Sequence, residues 1–256
     1  MMEQQLLTFL LMFSRISAYF IMLPLFSYRT IPVQYKVGLS IFLTLVIMPT
    51  IQVEEIAFTS TYILLVLKEV SIGLMLSFVS YVLFATVQVG GAILDFQIGF
   101  AFANVVDPQT GVQSPIFGRF FNILLLFLFI ATDAHHIVLT ALYYSFEYIS
   151  VYSLTNFLEN TNVALYFIKL FSMMFLVSVQ IVLPFIVILL LTDVTLGILT
   201  RAVPQLNIFA VGLPIKILVL FVVLFIFMRS VIFLFNQVFG YTQEQLMQLL
   251  QLLGGS

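Results

Sequence analysis

Residues 170–192 read LFSMMFLVSVQIVLPFIVILLLT, and residues 70–94 read VSIGLMLSFVSYVLFATVQVGGAIL. Neither stretch holds a charge. Each exceeds the roughly 20 apolar residues with which a helix crosses the hydrocarbon core of a bilayer. With 62% hydrophobic and 8% charged residues in a chain of 256, such surface cannot all be hidden inside a soluble domain. Its solvent is lipid or other membrane helices, and a mean hydropathy of +1.20 agrees. A membrane barrel would alternate polar and apolar residues; these runs are apolar on all sides, so helices are expected.

Working outward, apolar helical segments are expected at about 6–26, 37–51, 62–94, 119–143, 163–192 and 213–240. The third is too long for one perpendicular span at 1.5 Å per residue, so it must tilt, kink or protrude. Gly90-Gly91 offers a break in it, and Pro184 offers one in the fifth. The N-terminus MMEQQ lacks the basic region of a cleavable signal peptide, so residues 6–26 read as a retained first helix. The tail, YTQEQLMQLLQLLGGS, reads as a short amphipathic helix ending at Gly254. Tryptophan is absent, and Tyr143, Tyr144, Tyr148 and Tyr152 cluster where an interfacial anchor would sit. The first connection holds Arg29 and Lys36, the second Glu54 and Glu55. The positive-inside rule then puts the first in the cytoplasm, and six spans put both termini outside.

A net charge of −2 gives no reason to expect nucleic acid or an acidic ligand, and the lack of cysteine excludes disulfides and thiolate chemistry. Arg15, Lys68, Glu69, Lys169, Lys216 and Arg229 fall within or at the edges of the apolar segments. An ionised side chain at the bilayer centre costs about 2.5–3.5 kcal/mol on insertion scales. Lys68, Glu69, Lys169 and Lys216 stand near segment ends and read as snorkelling or as pairing with a partner subunit. Arg15 and Arg229 lie deeper, where an ion path is an equal alternative. His135 and His136, with Asp133 beside them, are the only histidines. Adjacent helical residues point about 100° apart, so they do not form the i, i+4 chelate of a zinc helix. A proton relay is the functional reading of the pair, since histidine titrates near physiological pH; the favoured reading is local hydrogen bonding at a kink or interface. No nucleophile elbow, HExxH or phosphate loop occurs, so neither an enzyme nor a resident metal or cofactor is expected.

Two polar interruptions are the most informative. GGAILDFQIGFAFANVVDPQTGVQSPIFGR spans Gly90 to Arg119. Asp107-Pro108 ends any helix, Thr110-Gly111 and Ser114-Pro115 add turn chemistry, and Phe96, Phe100, Phe102, Val105 and Val106 make the flank apolar. A re-entrant hydrophobic gate and an ordinary extramembrane loop both fit. RAVPQLNIFAVGLPIK spans 201–216. There one helix can end near Ala202-Val203 and another begin near Pro214, with Gln205 and Asn207 amides satisfying freed backbone groups.

These stretches, with LPLFSYRTIPVQYKVGLS (23–40), KEVSIGLMLSF (68–78) and DAHH (133–136), run in the order found in the export-gate family of type III secretion. The chain resembles that family, the FliR/SpaR/YscT-like proteins, over nearly its whole length. PQLNIF followed by GLPIK is the most specific match. The sequence departs from the common pattern at Ala92 and Asp95, and Val105 stands where some members carry an aromatic.

The resemblance implies an all-α integral membrane protein of about six apolar helical segments, several kinked or broken, packed in a multi-subunit helical gate. It implies one membrane-embedded domain over 1–240, with about 1–143 packing like FliP and about 163–240 like FliQ, and a short tail over 241–256. The implied setting is the bacterial cytoplasmic membrane at the flagellar basal body, with FliP and FliQ in the core complex and FlhB and FlhA beside it. Unfolded axial subunits are the implied cargo. A gate or plug loop maps to Phe102, Val105, Asp107, Pro108, Gly111, Pro115 and Gly118, with Gly111 and Gly118 as hinges. An assembly motif maps to Arg201, Pro204, Gln205, Asn207, Phe209, Gly212 and Pro214. The alternatives are the corresponding subunit of an injectisome, or a self-contained secondary transporter, which would carry inverted repeats and a polar midplane site.

Overall fold

A computed structural model describes residues 2–24, 26, 31–51, 60–100, 115–154, 162–204 and 207–254. The described residues form seven α-helices: α1 (Met2–Met22), α2 (Val33–Ile47, continued by a 3-10 turn at Met48–Thr50), α3 (Ser60–Ile98), α4 (Ile116–Ala131), α5 (His135–Tyr148), α6 (Asn162–Ala202) and α7 (Ile208–Gly254). Five of these, α1, α2 with its 3-10 turn, α3, α6 and α7, are long and apolar enough to cross a membrane. The pair α4 and α5 makes a sixth candidate, bent by 71°. The described residues thus form the long apolar helices of a membrane bundle, five spans or six with the bent pair, against about six expected. Arg29, Glu54 and Glu55, on which the orientation rested, lie outside the described residues.

Three boundaries differ from the sequence reading. The fourth segment is two helices, because Asp133 takes a left-handed backbone conformation with φ 56°. An L-residue there interrupts the α-helix. Neither Gly90-Gly91 nor Pro184 breaks a helix: α3 runs through the first and α6 through the second. The tail is no separate helix but the last turns of α7, which does end at Gly254.

The chain divides into two compact units. One comprises residues 1–83, 132–171 and 239–256, the other 84–131 and 172–238. In the first unit, α1 buries Leu7, Leu11, Arg15 and Tyr19, one face at helical spacing. Gly73 lets α3 cross α1 closely: a Cβ there would collide with the Arg15 carbonyl oxygen and stand 2.9 Å from Ala18 Cβ. The Tyr19 hydroxyl donates to Val138 O at 2.9 Å, and that of Tyr62 to Leu7 O at 3.2 Å. Phe78 packs edge-on against Phe167 and Phe171 at 5.7 and 5.8 Å. α2 is inverted: Ser40 and Thr44 are buried while Phe42, Leu45 and Val46 are exposed. The two hydroxyls donate to their own helix, to Lys36 O and Ser40 O. Small residues inward and large apolar residues outward is the pattern of a helix solvated by lipid or by other helices.

The second unit centres on Val87, Leu94, Phe121, Leu125, Phe185 and Phe235, all buried. Phe121 meets Phe235 edge-on at 5.8 Å. Ser178 of α6 donates to Thr86 O of α3 at 2.7 Å, and Gly90 leaves room for that approach, since a Cβ would stand 3.1 Å from Ser178 O.

Candidate functional site: a buried charge cluster and the stem of an interrupted helix pair

Three ionisable side chains are gathered in the first unit. Arg15 is fully buried on α1 and Glu69 fully buried on α3. They form a two-pronged pair, with Nε to Oε2 at 2.5 Å and Nη2 to Oε1 at 2.9 Å. Lys68 Nζ lies 2.9 Å from Glu69 Oε1. Two cations and one anion leave an excess positive charge, and backbone carbonyls receive it. Arg15 donates to Ser145 O at 2.6 Å and to Ile149 O at 3.2 Å. Lys68 donates to Ser150 O, Val151 O and Ser153 O at 2.7, 3.2 and 3.1 Å. These oxygens lie at and just beyond the C-terminus of α5, the negative end of its dipole, so the cluster both neutralises and caps that helix. The Arg15 guanidinium also lies over the Phe146 ring at 4.3 Å. Lys68 and Glu69 therefore neither snorkel nor await another subunit; they pair within the chain.

In the second unit, polar contacts converge on the two helix ends that border residues 101–114. α3 stops where Gly99 adopts φ 104°, a conformation that glycine reaches without strain. Asp95, on the last turns of α3, accepts from the amides of Phe117, at 3.1 and 3.0 Å to its two oxygens, and Gly118, at 3.2 Å. It thereby caps the start of α4 from another helix, placing a carboxylate at the positive end of that dipole. Gln97 is held from two sides. Its side chain donates to Asp193 of α6 at 3.2 Å, and its carbonyl accepts from Lys216 of α7 at 3.2 Å. Lys216 and Asp193 themselves form a salt bridge. Gly91 and Gly118 meet backbone to backbone, and a Cβ on Gly91 would overlap Gly118. Gly118 thus serves close packing inside α4 rather than as a hinge. Pro115 abuts it, and Phe102, Val105, Asp107, Pro108 and Gly111 lie outside the described residues.

At the second interruption, α6 ends at Ala202 as expected, but α7 starts at Ile208 rather than near Pro214, which lies inside the helix. The reason is Asn207. Its carbonyl accepts from Ala210 and Val211, and its Oδ1 lies 3.4 Å from the Ala210 amide, the position of an N-cap. Arg201, Pro204, Asn207 and Pro214 are exposed, whereas Gly212 is buried against Leu196. Phe209 opens α7 in its first turn. Gln205 lies outside the described residues. Lys169 and Arg229 are exposed on α6 and α7.

Asp133, His135 and His136 mark the break between α4 and α5, as the kink reading expected. Their donor atoms lie within 4.8 Å of one another and the two rings stand 4.3 Å apart. Three such donors can in principle ligate a divalent metal. They also surround the N-terminus of α5, whose dipole disfavours a cation, and two of the three are exposed.

A model of the family described as bacterial export proteins, family 1, matches residues 6–242. The chain belongs to that family. Among its relatives is the flagellar biosynthetic protein FliR of Bacillus subtilis, 41% identical over 97% of this chain and 96% of the relative. FliR of Escherichia coli K12 is 32% identical over 77% of this chain and 74% of its own length. The surface presentation of antigens protein SpaR of Shigella flexneri is 30% identical over 66% of this chain and 64% of its own. The type III export-gate resemblance is thereby shown, and with it the broad role of an export-apparatus subunit. In the sequence Asp95 stood out only as a departure from the family pattern, with no structural role attached, and Asp193 did not stand out at all. The signal was present in each case: an acid inside an apolar helix must meet donors.

Proposed function

We propose that this export-family protein is a structural gate subunit of the flagellar type III apparatus, through which unfolded axial subunits pass. The observation that carries the flagellar reading is a match to FliR along 97% of the chain, against 66% for SpaR. On this reading the protein sits in the bacterial cytoplasmic membrane at the basal body. It contacts FliP and FliQ, works beside FlhB and FlhA, and uses no nucleic acid or cofactor. Residues 1–143 stand for a FliP-like part and 163–240 for a FliQ-like part. The segment from Phe102 to Gly118 closes the resting channel: apolar side chains exclude water, and with it ions, until cargo displaces them. Its stem is set by Asp95 on one side and by the Lys216–Asp193 pair on the other. No step breaks a covalent bond.

The test is complementation. Flagellated cells lacking their own family member are expected to regain hook export and swimming when they make this chain. Restoration of injectisome secretion in the corresponding injectisome mutant, with no return of swimming, would overturn the flagellar reading.

The segment 201–214, exposed at Arg201, Pro204, Asn207 and Pro214, acts in assembly. Asn207→Leu removes the cap of α7, a change that costs about 1 kcal/mol at such positions, and replaces an exposed amide with an apolar group. The expected result is a several-fold lower yield of assembled complex by native gel. A normal yield with slower export would place the residue in transport instead.

A further inference from the structure

Arg229 is an exposed cation in the middle of the apolar part of α7. Leu218, Val222, Phe225, Ile226 and Phe233 are exposed as well, Phe225 to 85% and Phe233 to 62%. At 100° per residue these five and Arg229 share one stripe, with Arg229 near its centre line. Such a stripe faces lipid or another membrane helix. Among the described residues Arg229 has no hydrogen-bond or ion-pair partner, in contrast to Arg15, Lys68 and Lys216.

Snorkelling does not relieve it. Lys216 lies 13 residues before it, about 20 Å along the helix, and Tyr241 lies 12 residues after, about 18 Å. The nearest exposed polar residue in the later direction is Asn236, about 10 Å on, past only Ser230. Helical side chains tilt toward the N-terminus of their helix, a direction that leads away from Asn236. An ionised group at such depth is tolerated when it is paired.

We infer that the outward stripe of α7 is a docking surface for an apolar helix of a different polypeptide, which presents a carboxylate to Arg229. A guanidinium favours a two-pronged carboxylate partner, and the phenylalanines on either side seal the pair from lipid. A second copy of this chain does not supply the acid. Of its acids, Glu69, Asp95 and Asp193 on α3 and α6 are each already engaged, and Glu3, Glu147 and Glu244 stand in the polar ends of α1, α5 and α7, outside the apolar stretches. The inference concerns how the subunit is held and does not depend on the plug reading.

The experiment uses the full chain in the membranes of the bacterium that makes it, with photoreactive benzoylphenylalanine in place of Phe225 or Phe233. Irradiation is expected to link both positions to the same membrane polypeptide, at a helix containing Asp or Glu. Arg229→Leu should cut that product roughly tenfold or more, because it strands a buried carboxylate, whereas Arg229→Lys should retain most of it. Chain level is followed by immunoblot. Changing the partner's acid to its amide should restore the product in Arg229→Leu, which a folding failure could not do. Crosslinks to lipid alone, an acid-free partner helix, or full crosslinking in Arg229→Leu would each overturn the inference.

Discussion

Replacing Glu69 with Ala is expected to abolish stable accumulation of the protein in membranes. The carboxylate is fully buried and is the sole anion in ion-pair contact with Arg15 and Lys68 among the described residues. Removing one partner of a buried pair costs about 3–5 kcal/mol, because the opposite charge stays behind without compensation. Here two cations would remain with no anion beside them, held by neutral groups around the end of α5: backbone carbonyls, the Ser145 hydroxyl and the Phe146 ring. The loss would also unfasten α1 from α3. Glu69→Gln keeps the shape and an acceptor oxygen but not the charge, so it should fall between Ala and the parent. Arg15→Met in the Glu69→Gln background should recover part of the loss, since it removes one of the two stranded cations. The measurement is membrane-integrated protein by immunoblot, with thermal aggregation of the detergent extract as a second readout. Full accumulation of Glu69→Ala would mean that the cluster contributes no net stability and that packing alone joins these helices.

How much of this was legible in the sequence follows from which forces act locally. The uncharged runs at 70–94 and 170–192 fixed the helical membrane class, because chain length, hydropathy and backbone satisfaction in lipid leave no other solution. The interruptions at 90–119 and 201–216 stood out through glycine, proline and amide content. Helix continuity was less legible. Gly90, Gly91 and Pro184 are local breakers, yet α3 and α6 run through them, because Gly90 and Gly91 serve contacts with Ser178 and Gly118. Asp133 turned the chain where propensity gave little warning. The pairing of charges was least legible of all. Arg15 and Glu69 are separated by 54 residues, and Asp95 reaches amides 22 and 23 residues away. Sequence says that each must find a partner; only the fold says which.

The largest functional effect is expected from shortening the segment between α3 and α4. A channel wide enough for an extended polypeptide leaks ions unless apolar contacts keep it dry at rest, and a seal fails once its contacts are gone, because water wets the gap. Deleting residues 109–114 spares Asp95, Gln97, Phe117 and Gly118, the groups that fix the two helix ends, so the complex should still assemble. The Asp107-Pro108 turn stays, but the loop is six residues shorter and loses Val112 and the Gly111 hinge, so Phe102 and Val105 can no longer reach their closed positions. The direct measurement is membrane conductance in cells making the shortened chain against the parent, with assembly checked by native gel. The account predicts an intact complex, a raised ion conductance and slowed growth. An intact complex with parental conductance would contradict it, and residues 101–114 would then be an extramembrane connection with no part in closing the channel.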